Sequence, residues 1–169
     1  MPIMVVKYIY MTNKEFFLET MKEEAPRFRK AIEALPEDKL GHKVHDRSRE
    51  AGNLAAQLGL QWKAISLIAT TGTPSFDPHE MNNLTKEQML ANFDTYMPKM
   101  MKDVESISDE DWESGKAGWG GQLTDKKYHM AWAFLFDAIH HRGQLLTFLR
   151  AMGAKVPSIY GPSADEAKS

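Results

Sequence analysis

The chain has no cysteine among its 169 residues. That excludes a disulfide framework, a thiolate-bound zinc and a cysteine nucleophile, so any thiol in its chemistry must arrive with a substrate or cofactor. It also lacks a surplus of basic charge. Its 21 Lys+Arg against 23 Asp+Glu give a formal net charge of -2, which leaves no electrostatic footprint for nucleic acid. No apolar run is long enough to cross a bilayer, so no membrane partner is expected. The opening MPIMVVKYIYM is apolar but short. Lys7 interrupts it, no basic stretch precedes it and no small-residue cleavage site follows, so it does not read as a signal peptide and a cytoplasmic location is expected. Internal repeats, low-complexity blocks and Gly/Ser linkers are missing as well. One domain over 1–169 is expected, with a core over about 13–153 and a C-terminal tail at 154–169.

What is present is mostly helical pattern. The β-branched and aromatic stretch Val5 to Tyr10 predicts a short extended N-terminal arm. Thr12 followed by Glu15 has the form of a capping box, and Phe16, Phe17, Met21, Phe28 and Ile32 then recur at helical spacing. Pro26 should kink or divide this first helix, and Pro36 should end it. A second helix is expected over about 48–70 with Leu54, Leu58, Ile65 and Ile68 as its stripe, interrupted by Gln61. A third opens at Thr85 with Gln88 completing a second capping box; Pro98 predicts a bend inside it, and one further turn is expected around Asp109 to Trp112. GKAGWGGQL reads as a flexible crossover, because no strand precedes it and no GKS/T ending makes it a phosphate loop. The fourth long helix, about 124–152, places Phe134, Ala138, His141, Leu145, Leu149 and Met152 on one face before Gly153 and Pro157 stop it. Four helices with one apolar face each predict an all-α four-helix bundle.

One pair on the fourth helix bears on chemistry. His141 follows Asp137 by four residues, so the two side chains lie on one face about one turn apart and can direct lone pairs to a common divalent ion. The structural alternative is as simple: Asp137 orients or neutralises His141, or pairs with Arg142 or Arg150. The residues alone favour that alternative, since D-x-x-x-H on a helix is a weak signal. His140 points about 100° away. His42, His45, His79 and His129 read as surface histidines, and Trp62, Trp119 and Trp132 as core or interface anchors.

The segment HHRGQLLTFLRAMGAKVPSIYGPSADE resembles the C-terminal signature of the DinB-like superfamily, in which H-x-x-x-H-R-G-Q is followed by a turn and a Pro-x-x-Tyr-Gly tail. ALPEDKLGHKVHDRSREAGNLAAQL resembles that family's passage from the first helix into the second. The resemblance implies a four-helix bundle, often a homodimer. It also implies a divalent metal held by three histidines, and in some relatives thiol-dependent transfer or isomerisation. Carried onto this chain, the second histidine of H-x-x-x-H falls on His141, the first on Asp137, and the helix-two histidine on Gln57. Aspartate is a competent ligand for zinc, nickel, manganese or iron, whereas a neutral glutamine carbonyl is a poor one. Two expectations stand open. Gln57, Asp137 and His141 form a remodelled metal site serving a thiol-linked transferase or hydrolase; or the metal is gone and the bundle is a non-enzymatic small-molecule binder or structural dimer.

Overall fold

The computed structural model describes residues 11–166, so the expected extended arm at Val5–Tyr10 lies outside the described residues. Four long helices form the bundle: α1 (Asn13–Glu33), α2 (Ala51–Thr71), α3 (Lys86–Ser106) and α5 (Lys127–Ala151). A short α4 (Asp109–Ser114) and a two-stranded antiparallel ribbon, β1 (Lys116–Ala117) with β2 (Asp125–Lys126), join α3 to α5. α2 packs on α3 and α5, and α1 packs on the same two, which leaves α1 and α2 across a diagonal. No described helix is long and apolar enough to cross a membrane.

The helix starts follow local chemistry. Thr12 and Glu15 close a reciprocal capping box at 3.2 and 2.8 Å, and Thr85 and Gln88 close another, so both helices begin where orphan amides find side-chain acceptors. α2 begins three residues later than the sequence suggests. Ser48 is held in a turn with His45, and the first amides of α2 are satisfied by loop carbonyls instead: Ala51 donates to His42 and Gly52 to Leu40. α2 ends on Gly72, whose φ of 73° suits glycine and lets its amide close onto Ile68.

Pro26 and Pro98 do not divide their helices; α1 and α3 each run unbroken through the proline. An interior proline costs roughly 3 kcal/mol. Burial on both sides of each offsets that: Met21, Phe28 and Ile32 around Pro26, Met97 and Met100 around Pro98. The core is aromatic at its centre, with Trp62 fully buried between Phe28 and Phe93 at centroid distances of 4.8 and 6.1 Å. Asn13, the first residue of α1, accepts from the indole nitrogens of Trp112 and Trp132 at 2.8 and 3.2 Å, tying α4 and α5 to the start of α1.

Four of the six residues expected on the inner face of α5, Ala138, Leu145, Leu149 and Met152, are buried, together with Ala131, Leu135 and Arg142; Phe134 and His141 are only partly buried, at the edge of that face. Arg142 is buried against Glu24 of α1 at 2.5 Å and lies over the Phe28 ring at 4.4 Å. Tyr160 of the C-terminal tail donates its hydroxyl to Glu24 at 2.9 Å and accepts from Arg142, and Arg27 pairs with the other Glu24 oxygen. Burial on its own would raise the Glu24 carboxyl. The hydrogen bond and charge of Arg142, with help from Tyr160 and Arg27, outweigh burial and hold it below its ordinary value of 4.5.

A carboxyl lowered by folding contributes stability above its unfolded value and loses it as pH falls through the lowered folded value. Thermal unfolding should therefore show an acid-labile contribution below about pH 4.5 that Glu24→Gln makes shallower. Arg142→Met, which strands the buried carboxylate, should cost about 3–5 kcal/mol in chemical denaturation at neutral pH.

Candidate functional site

Asp137 does not sit on the buried face. Its side chain is 49 % exposed on the flank of α5, where it forms the floor of a cleft of about 320 Å³ lined by Gln57, Gln61, Phe76, Ala133, Phe134 and Trp119. Gln57 and Gln61 are one turn apart on α2 and so present both amides to the same point. Both donate to Asp137 Oδ2, at 3.0 and 3.2 Å, and Gln61 also donates to the Phe134 carbonyl. The carboxylate is thereby fixed against α2 across the α2–α5 groove.

His141 lies above it. Its Nδ1 contacts Gln144 Oε1 at 2.8 Å. Its Nε2 faces Asp137 Oδ1 at 3.3 Å. The structure thus brings all three expected positions into one contact chain, Gln57 to Asp137 to His141.

Arg49, which carries no signal in the sequence, completes the surroundings. It donates to Gln57 Oε1 through Nη1 and to the Asn53 carbonyl through Nη2 at 3.1 Å. Burial of the guanidinium draws its pKa down, against the opposing pull of Asp137. The consequence falls on Gln57: the single atom of that side chain able to ligate a metal is already occupied by a cation's N–H, and its amide nitrogen is turned to Asp137. Among the described residues no group of three or more His, Asp or Glu side chains is placed to hold an ion. The donor set does not fit the three-ligand centre that the resemblance implied. One of the three expected histidines remains, His141; an aspartate stands at the second position, and a guanidinium stands beside the third.

The aromatic wall depends on the glycine-rich segment, which is a built lip and not a loose crossover. The Gly118 amide donates to the Gly72 carbonyl at 2.9 Å, and the Gln122 amide closes on Trp119 at 3.0 Å. Gly120 and Gly121 adopt φ of 57° and 80°, which turn the chain sharply enough to lay Trp119 over Phe134 with ring centroids 5.8 Å apart. Trp119 is therefore not a core residue: it is 52 % exposed at the cleft mouth. The sequence signal that could have found this site was Gln61, the polar break in the α2 stripe one turn beyond Gln57. The other histidines lie apart from the cleft: His129 pairs with Asp125, His140 is exposed, and His42 is half-buried with Nε2 unpaired among the described residues.

A bundle of four long helices carrying polar side chains across the groove between its second and last long helices defines the class. This chain belongs to the DinB family, whose family model matches residues 10–168. Among solved structures it is similar to a DinB-like protein from Bacillus cereus, with a TM-score of 0.71 and 16 % identity over 85 % of this chain and 95 % of that one. It is also similar to a DinB-like protein from Bacillus subtilis, with a TM-score of 0.66 and 16 % identity over 85 % of this chain and 96 % of that one. At such identity the likeness speaks for the fold. Comparison with curated proteins gives no match.

The exposure of Trp119 makes a direct check. Trp62 and Trp112 are fully buried and Trp132 is partly buried, so acrylamide should quench chiefly the Trp119 emission. Trp119→Phe should remove most of the quenchable fluorescence while leaving the melting temperature within a degree or so, as expected of an exposed site.

Proposed function

We propose that this DinB-family bundle is a binder of small organic molecules, its ligand seated in the α2–α5 cleft, and that the polar residues which would ligate metal in relatives now form the hydrogen-bonding floor of that cleft. The observation that carries this reading is the Gln57–Asp137–Gln61 contact at the base of an aromatic-walled cavity. A mostly apolar concavity with a few convergent polar groups is the usual form of a small-molecule site. Its volume of about 320 Å³ is at the small end for such sites. Phe76, Phe134 and Trp119 would take an apolar body, and Asp137 would fix its orientation.

A ligand-observed NMR screen of small aromatic fragments tests this. Hits should weaken at least fivefold in Trp119→Ala and in Phe134→Ala, with folding retained by circular dichroism. Hits that ignore both substitutions, or no hits at all, would contradict the reading.

One observation favours a second reading. Asp137 Oδ1 and His141 Nε2, 3.3 Å apart with Gln144 orienting the ring, resemble two neighbouring positions in the shell of a divalent ion such as zinc, nickel, manganese or iron. Elemental analysis of untagged protein decides between the two. Near-stoichiometric metal lost in both Asp137→Ala and His141→Ala would favour a metal-dependent enzyme; protein that takes up none of these ions would favour the binding role.

A further inference from the structure

Three features of the cleft bear on the charge of what it holds. Asp137 is the one charged side chain among its lining residues. Arg49, the nearest cation, is committed to Gln57 and the Asn53 carbonyl and does not line the cavity. The walls are formed by Phe76, Phe134 and Trp119, and aromatic rings attract cations through their quadrupole, most strongly for tryptophan.

Asp137 Oδ2 receives both glutamine amides, and Oδ1 lies 3.3 Å from His141 Nε2. An N–H-bearing cation in the cleft can donate to the Asp137 carboxylate while its apolar body lies along the aromatic wall. An anion would meet the Asp137 charge, and a neutral ligand would forgo it.

Building on the reading of the cleft as a ligand site, we infer that its ligand is an organic ammonium, a protonated amine carrying an aromatic or compact apolar group. The Asp137 carboxylate accepts its N–H groups, and Trp119 and Phe134 lie against its body. Binding is non-covalent. The two glutamines act as positioning residues: their amides hold the carboxylate against α2.

The test compares benzylamine, protonated at neutral pH, with benzyl alcohol, which has nearly the same shape and no charge. Affinity for each is read from the Trp119 emission and checked by calorimetry. Benzylamine should bind about tenfold more tightly than the alcohol in the wild type, a difference on the order of one exposed ion pair plus one cation–π contact. Asp137→Asn, which keeps the shape of the side chain, should abolish that preference. Equal affinity for the two probes, or a preference that survives Asp137→Asn, overturns the ammonium inference while leaving the cleft as a site for neutral ligands. If neither probe binds in a manner sensitive to Trp119→Ala, the cleft reading fails and this inference fails with it.

Discussion

The buried contact between Arg142 and Glu24 ties α5 to α1, and the site stands on the flank of the helix so anchored. A guanidinium on a helix can reach the opposite side of a bundle only if its face turns inward, and this one is held by a carboxylate, a phenol hydroxyl and the face of Phe28 at once. Buried ion pairs add little net stability against an apolar alternative, but they penalise any arrangement that separates them. With Arg142 turned inward, Asp137 and His141 stand beside the core face, at the groove with α2. The tail follows the same anchor: Tyr160 closes the pair, while Arg150–Asp165 and Lys30–Glu166 hold the tail alongside.

Much of the fold is legible in the sequence. Two capping boxes, the periodic apolar residues and the glycine after α2 place the long helices within about three residues. The misjudged points share a cause. Hydropathy alone cannot assign Arg142, whose charge argues for solvent until Glu24 is known to be opposite, so the expected stripe took in His141 and left out the buried Arg142, while Ala138, Leu145, Leu149 and Met152 are buried as it suggests. Pro26 reads as a point where the helix could divide because its local cost is visible, while the burial that offsets it is tertiary. The glycine-rich segment looks loose because its order comes from a partner distant in sequence, the Gly72 carbonyl.

The site is legible in part. Gln57, Asp137 and His141 are brought together as the family resemblance implies, but what they do to one another depends on Arg49 and Gln61. Arg49 lies in a loop, where an arginine is ordinary. Replacing a histidine by Gln57 removes a ring lone pair and introduces an amide that donates as well as accepts; with an aspartate opposite and an arginine behind, each half of that amide finds its partner. The polar groups then satisfy one another, which is the arrangement expected of a stable hydrogen-bonded floor.

The side-chain amide protons of Gln57 test that arrangement most directly. Their NMR resonances, assigned with Gln57→Glu, should be shifted and protected from exchange in the wild type, collapse towards free-amide values in Asp137→Ala, and stay unmoved when one equivalent of zinc is added. If zinc instead shifts the Gln57 amide and the His141 ring together with one-to-one stoichiometry, these residues form a metal centre, and a self-satisfied hydrogen-bonded floor is ruled out.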